Sequence, residues 1–284
     1  MLSSSPINPI DYLVIGHLSE DITPDGSVLG GTAAYAALTA RTMGLRVGMI
    51  TQCSTQTDLS IFDDITIINL PGDVTTTFEI ITSPASRTLF LQNLAPQIEA
   101  LQIPESWKQT PIVHLGPIAQ EIDPAFVRMF PNSLVGLTIQ GWLRGWDGEG
   151  RVQLTEWPEA RFVLEQANAA VLSIEDVNGD EIRIEEMMSS IRVLAVTEGA
   201  EGVRLYWNGD LRRFRAPAKE VVNTTGAGDI FAAAFFIRLQ YTHNPWEAAR
   251  FATQMATASV TRIGLQSIPS LDELQQIQFE VFEN

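Results

Sequence analysis

Short runs that are apolar throughout recur along this 284-residue chain, at residues 12–15, 47–51, 112–115, 134–139, 170–174 and 193–197. Helical patterns lie between many of these runs, at residues 32–43, 124–130, 159–167 and 181–189. Strands without a polar face must be covered on both faces, and intervening helices provide that cover in a mostly parallel sheet. The pattern therefore predicts an α/β fold, in the form of a three-layer α/β/α sandwich with a mostly parallel central sheet.

Two stretches, about 21–29 and 75–92, break this alternation. The second has Thr-rich, β-branched arms on either side of a Ser83-Pro84-Ala85-Ser86 turn, a composition typical of strands joined by a turn. We expect both stretches to form a small β lid outside the main sheet. In open α/β sheets ligands bind beyond the carboxyl ends of the strands, where such a lid would exclude water. The whole chain, 1–284, is predicted to be one domain.

The last third of the chain changes character. A hairpin is predicted from strands at 203–207 and 211–214 around an Asn208-Gly209-Asp210 turn, and a helix is predicted from residue 245 to about 260. Between them, a glycine-containing loop runs directly into an apolar segment, Ile230-Phe231-Ala232-Ala233-Ala234-Phe235-Phe236-Ile237. A helix that is apolar on every side is buried, so this segment is expected at the centre of the molecule.

Composition narrows the class of protein. A chain with 45% hydrophobic residues and no apolar stretch of membrane-spanning length is predicted to be globular and cytoplasmic. Its first residues do not resemble a secretion signal, and its single cysteine, Cys53, cannot form an internal disulfide. A net charge of −16 disfavours nucleic-acid and anionic membrane partners, so a small-molecule substrate is expected.

The glycine loop itself, Thr224-Thr225-Gly226-Ala227-Gly228-Asp229, has the features of a phosphate site. Small residues leave successive backbone N–H groups accessible, and the following helix directs its positive dipole end to the same place. A carboxylate in the first helical turn beside a phosphate can accept a proton from an attacking hydroxyl. Aspartate is common in the first turn of any helix, so Asp229 could be there for the helix alone. A charged group at the start of a buried helix, however, needs a partner or a function.

Two familiar nucleotide motifs are absent from the sequence. No lysine follows a glycine-rich turn, which excludes a P-loop of the form G-x-x-x-x-G-K-[ST]. The first predicted strand is followed by His17-Leu18-Ser19 and not by the G-x-G-x-x-G of dinucleotide binding. A nucleotide is therefore expected to bind late in the chain.

The T-T-G-A-G-D loop and its small-residue helix resemble the signature of the PfkB-type carbohydrate kinases, the ribokinase-like family. Gly30-Gly31-Thr32-Ala33-Ala34-Tyr35 is similar to the family's N-terminal Gly-Gly motif, and the turn from Gly16 to Asp21 is similar to its acceptor-binding turn. Thr197-Glu198-Gly199-Ala200-Glu201-Gly202 resembles its nucleotide-side T-x-G-x-x-G. The matches extend to Thr261-Arg262-Ile263-Gly264 near the C-terminus, so they cover nearly the full length.

This resemblance implies an ATP-dependent kinase that transfers the γ-phosphate of ATP to a hydroxyl of a small sugar or polyol, with ATP and Mg²⁺ as cofactors. Asp229 would be the general base. The implied phosphate-binding anion hole is Thr225, Gly226, Ala227 and Gly228. The implied nucleotide-binding residues are Thr197, Gly199 and Gly202. The implied acceptor-binding residues are Asp21, Gly30, Gly31 and Tyr35.

Two further residues are candidates for substrate contact because of their position. His17 directly follows the first strand, at the predicted entrance to the pocket, although a lone histidine is more often packed or solvated. Arg87 lies on the predicted lid and either reaches the substrate or a phosphate, or keeps an edge strand soluble.

The chain departs from the family pattern at three places. Tyr35 stands where an asparagine often contacts the sugar, so the acceptor pocket differs from that of a standard ribose kinase. Ser173-Ile174-Glu175-Asp176 replaces the N-x-x-E segment, leaving Ser173 and Asp176 as oxygen ligands for a water-mediated hold on magnesium. Asn223 replaces the acidic residue that commonly opens the glycine motif, which predicts weak or absent potassium activation.

Three alternatives for function and assembly stay open. A nucleoside kinase of the same fold would need an aromatic slot for a base, which Phe78 and Phe90 of the lid could supply. A non-catalytic ligand-binding relative would keep the fold without the chemistry. An exposed apolar lid face would favour a homodimer.

Overall fold

The computed structural model describes residues 8–282 except 25, 71, 84–85 and 101–102. Its strands are β1 (Tyr12–Ile15), β2 (Ser19–Thr23), β3 (Gly26–Gly30), β4 (Val47–Gln52), β5 (Thr66–Leu70), β6 (Thr76–Ser83), β7 (Ser86–Asn93), β8 (Ile112–Leu115), β9 (Leu134–Thr138), β10 (Arg144–Trp146), β11 (Val152–Leu154), β12 (Ala169–Ser173), β13 (Val193–Thr197), β14 (Val203–Trp207) and β15 (Asp210–Phe214). Its α-helices are α1 (Thr32–Thr42), α2 (Ala160–Gln166), α3 (Glu181–Met188), α4 (Ala227–Thr242), α5 (Pro245–Ser259) and α6 (Leu271–Phe282).

The central sheet has nine strands in the order β15-β14-β13-β12-β9-β8-β1-β4-β5. The strands from β13 to β5 run parallel to one another, and the hairpin of β14 and β15 adds two antiparallel strands at one edge. β1, β4 and β8 are buried along their whole length, as strands without a polar face require. The predicted fold class is confirmed.

Helix α4 is the central helix of one layer, where it packs against α1 and α5 and against β8, β9 and β12. Its residues from Ile230 to Ile237 are all buried, in agreement with the all-round apolar sequence. Gly136 of β9 lies directly beneath the Phe236 ring, and an added Cβ there would sit 2.5 Å from that ring. At 16 residues α4 is short, and in the described part of the chain no helix is long and apolar enough to cross a bilayer.

A second sheet, here called the lid sheet, has four strands in the order β3-β2-β6-β7. It is mixed, since β2 pairs antiparallel with β3 but parallel with β6. Its strands cover the stretches about 21–29 and 75–92 that the sequence assigns to a lid, although the Pro84-Ala85 part of the predicted turn lies outside the described residues. Asp21 and Phe78 are register partners and therefore point to the same face.

Some elements differ from the sequence predictions. The segment predicted as a helix at 124–130 is a 3₁₀ helix, Pro124–Met129, which Asp123 caps by accepting a hydrogen bond from the Ala125 amide. Strand β5, the hairpin of β10 and β11, and helix α6 were not predicted. β5 is an edge strand with mostly half-buried residues, and β10 and β11 have three residues each, so none gives a strong apolar run.

We expect Gly136→Ala to lower the free energy of unfolding by about 1–3 kcal/mol, because the added methyl must displace Phe236 and with it α4. Gly148→Ala is the matched control, since an added Cβ there meets nothing within 4 Å. Urea unfolding of both variants checks the prediction. Equal stabilities would mean that α4 does not depend on this close approach.

Candidate active site

The site lies at one edge of the central sheet. Parallel strands direct their carboxyl ends to the same edge, and the first residues beyond β1 and β8, Gly16 and Gly116, pack against each other there. Thr138, Ser173 and Thr197 end β9, β12 and β13 at this edge. The glycine loop reaches the same edge at the start of α4, whose first turn faces Thr32 at the start of α1. Sequence segments far apart along the chain are thus brought together.

The glycine loop is held in place by its own side chains and by α1. Asn223 Oδ1 accepts a hydrogen bond from the Thr225 amide at 2.7 Å, so the residue that replaces the usual acid still shapes the turn. Gly226 has φ +82°, in the left-handed region that favours glycine. The Tyr35 ring lies directly against Gly226, leaving no room for a Cβ. Only glycine therefore satisfies both the conformation and the packing at this position.

The first amides of α4 are only partly used by hydrogen bonds within the protein. Ile230 N–H donates the first helical hydrogen bond, to Gly226 O at 2.9 Å, so the amides of Gly228 and Asp229 have no partner within the helix. The Ala227 amide donates to Thr224 O at 3.2 Å. Gly228 is exposed, with nothing within 4 Å of an added Cβ. An anion would therefore meet the Gly228 amide first, at the positive end of the helix dipole.

Asp229 is half-buried beside this anion position. Its Oδ1 accepts a hydrogen bond from the Thr32 hydroxyl at 2.7 Å, and Thr32 is itself buried. Burial raises the pKa of Asp229 from its ordinary value to about 6, against the lowering effects of the Thr32 hydrogen bond and of Arg144. The carboxylates of Asp176 and Asp21 raise this pKa further. A carboxylate with such a pKa is a stronger base than an exposed aspartate and is still ionised at neutral pH.

Arg144, the first residue of β10, is a half-buried cation in this acidic site. Its guanidinium donates to Ile118 O at 3.0 Å and lies 5.3 Å from the centroid of the Phe78 ring on the lid sheet. Burial lowers the pKa of Arg144, and the carboxylates of Asp176, Asp229, Asp21 and Glu121 oppose that effect. Arg144 is therefore the cation that these side chains share.

Three of the residues that the sequence predicts to bind the acceptor lie on β2 and at the double glycine. Asp21 is 9% exposed, and its Oδ1 accepts a hydrogen bond from the Ser19 hydroxyl at 2.9 Å. An added Cβ at Gly30 would lie 2.9 Å from Asp21 Oδ2, and one at Gly31, which has φ +89°, would lie 2.8 Å from His17 O. The two glycines therefore let α1 begin close against the lid sheet, with Asp21 beside its first turn.

Two predicted substrate contacts are placed elsewhere by the structure. His17 is fully buried, and its ring nitrogens are bonded to Thr76 Oγ1 at 2.8 Å and Pro96 O at 2.9 Å, so both are used within the protein. It anchors the lid sheet instead of facing a pocket. Tyr35 is 2% exposed and supports Gly226, so it contacts the loop and not the open cleft. The Arg87 side chain lies outside the described residues.

Asp176 and Ser173 lie together after β12. Asp176 Oδ2 accepts from the Ser173 amide and Oδ1 accepts from Gln140 Nε2, each at 2.8 Å, within a short 3₁₀ turn closed by a capping box. Burial raises the pKa of Asp176. In the part of the chain that the structure describes, no three His, Cys, Asp or Glu side chains cluster as a metal site. The arrangement fits a Mg²⁺ ion that keeps waters and phosphate oxygens as its main ligands.

The turn that the sequence predicts to contact the nucleotide, residues 197–202, adjoins both the sheet edge and the end of β15. Thr197 is the register partner of Ser173 and donates from its hydroxyl to Leu172 O at 3.4 Å. Gly199 and Gly202 both have positive φ, at +57° and +95°. Gly202 lies directly against the backbone of Phe214, where a Cβ has no room.

Sequence reasoning missed Thr32 and Arg144. Thr32 was visible as the first helical residue after the double glycine, but only the fold reveals that α1 and α4 begin side by side. Arg144 follows a 3₁₀ turn and belongs to a three-residue strand, which gives no sequence signal of a site. The distribution of arginines offers no hint either, because several others lie on the surface.

Comparisons with known proteins agree with this fold. Residues 158–272 match the model of the pfkB family carbohydrate kinases. A cytidine kinase of Thermococcus kodakarensis is 28% identical over 278 residues, which cover 91% of this chain and 99% of that enzyme. Among solved structures, a pyrophosphate-dependent kinase of the ribokinase family, complexed with a pyrophosphate analog and myo-inositol, has TM-score 0.78 at 19% identity and covers 93% of this chain and 99% of its own. An Arabidopsis thaliana ribokinase complexed with ribose and ATP has TM-score 0.69 at 16% identity, covering 95% and 99%.

The solved structures show that the chain has the ribokinase-like fold. Residues 158–272 are similar to the pfkB family carbohydrate kinases and nearly the whole chain is similar to a cytidine kinase, a likeness that indicates a phosphotransferase with an alcohol group as acceptor.

We expect Thr32→Val to raise the pKa of Asp229 by about one unit, since a hydrogen bond to a charged group contributes about 1.5–3 kcal/mol and one unit is about 1.4 kcal/mol. Thr32→Ser retains the hydroxyl and is the control. The pKa is read from an NMR titration of ¹³C-carboxyl-labelled aspartate. An unchanged pKa in the valine variant would show that this hydrogen bond does not tune Asp229.

Proposed function

We propose that the protein is an ATP-dependent kinase that transfers the γ-phosphate of ATP to a hydroxyl of a small sugar or polyol. The observation that carries this proposal is the position of Asp229. Its carboxylate, with a pKa of about 6, lies one residue from the exposed Gly228 amide and in the same electrostatic site as Asp21. A base, an anion site and an acceptor-binding carboxylate thus adjoin one another.

The proposed mechanism uses these groups in turn. Asp21 accepts hydrogen bonds from acceptor hydroxyls and orients one of them toward Asp229. Asp229 accepts the proton of that hydroxyl as its oxygen attacks the γ-phosphorus, and the bond from phosphorus to the bridging oxygen of ADP breaks. The Gly228 amide and the start of α4 stabilise the charge on the transferred group.

The donor side has fewer preformed contacts. Thr197, Gly199 and Gly202 would contact the nucleotide, and Thr225, Gly226 and Ala227 would shape the anion hole around its phosphates. Asp176, with the Ser173 turn, would hold Mg²⁺ through water. When bound, Mg²⁺ supplies charge neutralisation between the phosphates.

Arg144 has two effects in this mechanism. Its charge lowers the pKa of Asp229 and so keeps the base ionised in an acidic site. Its guanidinium, fixed by Ile118 O and the Phe78 ring, can also donate to an oxygen of the acceptor.

A nucleoside kinase is the second candidate, favoured by the nearly full-length similarity to a cytidine kinase. The aromatic slot that this reading needs is not formed by Phe78 and Phe90. Phe78 is buried with Ile118 and Ala119, and Phe90, which pairs with Glu79, points to the opposite face of the lid sheet. A base would have to bind against other groups, which is why a sugar or polyol is placed first.

A panel of acceptors separates these candidates. Purified protein with ATP and Mg²⁺ is supplied with pentoses, hexoses, inositols and nucleosides, and ADP formation is measured together with the mass of the product. Preferred turnover of a sugar or polyol supports the first candidate, and preferred turnover of cytidine or another nucleoside supports the second. A ligand that raises the melting temperature without any turnover would indicate a non-catalytic relative.

We expect Asp229→Asn to lower kcat by about 10²–10⁴-fold with little change in KM, because the amide cannot accept the proton. The variant should unfold at a higher temperature than wild type at pH 8, since a carboxylate with a raised pKa opposes folding when ionised. Melting curves with and without ATP control for folding and binding. Retained turnover would exclude Asp229 as the base.

The pH dependence of kcat/KM should have an acid limb with an apparent pKa of about 6 in wild type. Activity is lost as the pH falls through this value, because protonation of Asp229 removes the base. In Arg144→Met the limb should move to higher pH, since the lowering effect of the guanidinium on Asp229 is gone. Initial rates between pH 4.5 and 9 measure the acid limb of wild type and of Arg144→Met. An acid limb at the same pH in both proteins would rule out electrostatic tuning of Asp229 by Arg144.

A further inference from the structure

Three polar side chains form a hydrogen-bonded chain on the face of the central sheet that α4 covers. The Tyr12 hydroxyl is bonded to His114 Nδ1 at 2.7 Å, and His114 Nε2 is bonded to the Thr138 hydroxyl. The His114 ring also packs edge-on against Phe236 of α4, with ring centroids 5.0 Å apart. Tyr12 and His114 are fully buried, whereas Thr138, the last residue of β9, is 7% exposed. The chain therefore leads from the interior to the carboxyl edge of the sheet.

Thr138 reaches this edge beside the residues that hold the proposed base. A Cβ added at Gly116 would lie 2.4 Å from Thr32 Cγ2 and 3.4 Å from Thr138 Oγ1, so both threonines approach the same face of that glycine. Thr32 in turn donates its hydrogen bond to Asp229. The mechanism proposed above gives no role to Thr138 or to the two side chains behind it.

The protonation states of the two buried members limit how this chain can be arranged. Burial lowers the pKa of His114 to about 3, so its ring is neutral and has one N–H donor and one acceptor nitrogen. Burial, and after it the charge of Asp229, raises the pKa of Tyr12 well above its ordinary value, so the phenol keeps its proton. Among the residues that the structure describes, His114 is the only hydrogen-bond partner of the Tyr12 hydroxyl.

Only one direction of the chain satisfies every buried donor. If His114 Nδ1 carried the proton, the Tyr12 hydroxyl would accept that bond and its own proton would be buried without an acceptor, which is costly. If Tyr12 donates to Nδ1, His114 donates from Nε2 to the Thr138 oxygen, and no buried donor is left over. The Thr138 hydroxyl then still has its own proton to donate, at the edge of the sheet where the candidate active site lies.

We propose that Thr138 is a further acceptor-binding residue, whose hydroxyl donates a hydrogen bond to an oxygen of the phosphate acceptor. Tyr12 and His114 are positioning residues that fix the direction of this bond without touching the substrate. The proposal rests on the proposed function, which it extends on the acceptor side. It narrows the substrate class to molecules with a second oxygen close to the phosphorylated hydroxyl, as in a sugar or polyol. A protonated amino group at that place would meet a donor and be rejected.

Substrate analogues combined with variants of Thr138 test this bond. Wild type, Thr138→Val and Thr138→Ser are assayed with the best acceptor of the panel and with its single-site deoxy and amino analogues. Thr138→Val should raise KM for the complete acceptor about tenfold with little change in kcat, and Thr138→Ser should stay within about threefold of wild type. One deoxy analogue should cost wild type about tenfold but Thr138→Val less than about twofold, because the valine variant has already lost that bond. The amino analogue at the same position should be the poorest acceptor of wild type.

Thr110→Val is the matched control for the loss of a buried hydroxyl. The Thr110 hydroxyl donates to Trp107 O at 2.7 Å and is buried, but it lies just before β8, at the amino edge of the sheet. This variant should leave KM unchanged for every acceptor, whatever its effect on the melting temperature. A change in KM that also appears in Thr110→Val would mean that the effect of Thr138→Val is structural.

The tautomer of His114 supplies a readout that needs no turnover. In ¹⁵N-labelled protein, with the three histidines assigned from their backbone correlations, the ring of His114 should have a protonated Nε2 and an unprotonated Nδ1. Its shifts should stay constant between pH 5 and 8, because the ring is neutral throughout. A protonated Nδ1, or independent losses with every deoxy analogue, would overturn the proposal while leaving the kinase intact.

Absence of product with every acceptor would instead refute the proposed function. Melting curves then decide the role of Thr138. A sugar or polyol that raises the melting temperature of wild type but not of Thr138→Val would support the contact, and equal or absent stabilisation of the two proteins would overturn it.

Discussion

The hydrogen bond between Thr32 and Asp229 joins the two helix starts on which the whole site depends. It can form because α1 and α4 are both buried against the same layer, with their first turns at the carboxyl edge of the sheet. The packing of α4 requires small or absent side chains beneath it, as at Gly136. A shift of α4 relative to the sheet would move Asp229, the loop amides and Gly226 together.

Three carboxylates are brought together at this edge of the sheet, and their burial opposes folding unless other groups stabilise their charge. Asp21, Asp176 and Asp229 lie near one another, and burial raises the pKa of both Asp176 and Asp229. Each carboxylate is compensated by a different group: a backbone amide and Gln140 for Asp176, Ser19 for Asp21, and Thr32 for Asp229. Arg144 acts on all three at once, so its removal would unbalance the whole cluster and not a single pair.

Periodicity was sufficient to predict the sandwich, because apolar strands and an all-round apolar helix leave few alternatives to a covered parallel sheet. It could not predict β5 or the β10–β11 hairpin, whose stability comes from neighbours and not from their own composition. In the site, the resemblance led to Asp229 and the double glycine. The sequence could not show that the side chains of His17 and Tyr35 are buried, because sequence order shows that a residue follows a strand or begins a helix, but not which way its side chain points.

The position of Tyr35 has a consequence for acceptor choice. In the carbohydrate kinases that this motif resembles, an asparagine at the matching place often contacts the sugar. Here the Tyr35 ring packs against Gly226 instead. In the proposed mechanism the acceptor therefore bonds to Asp21, which only accepts hydrogen bonds, and to Arg144, which only donates them. An acceptor molecule that satisfies both must present a hydroxyl donor and an oxygen acceptor on one side. Polyols and sugars would meet that requirement with neighbouring hydroxyls, and a cytosine nucleoside would meet it with its ribose and the O2 of its base. The choice between them would depend on the distance between Asp21 and Arg144 in the site.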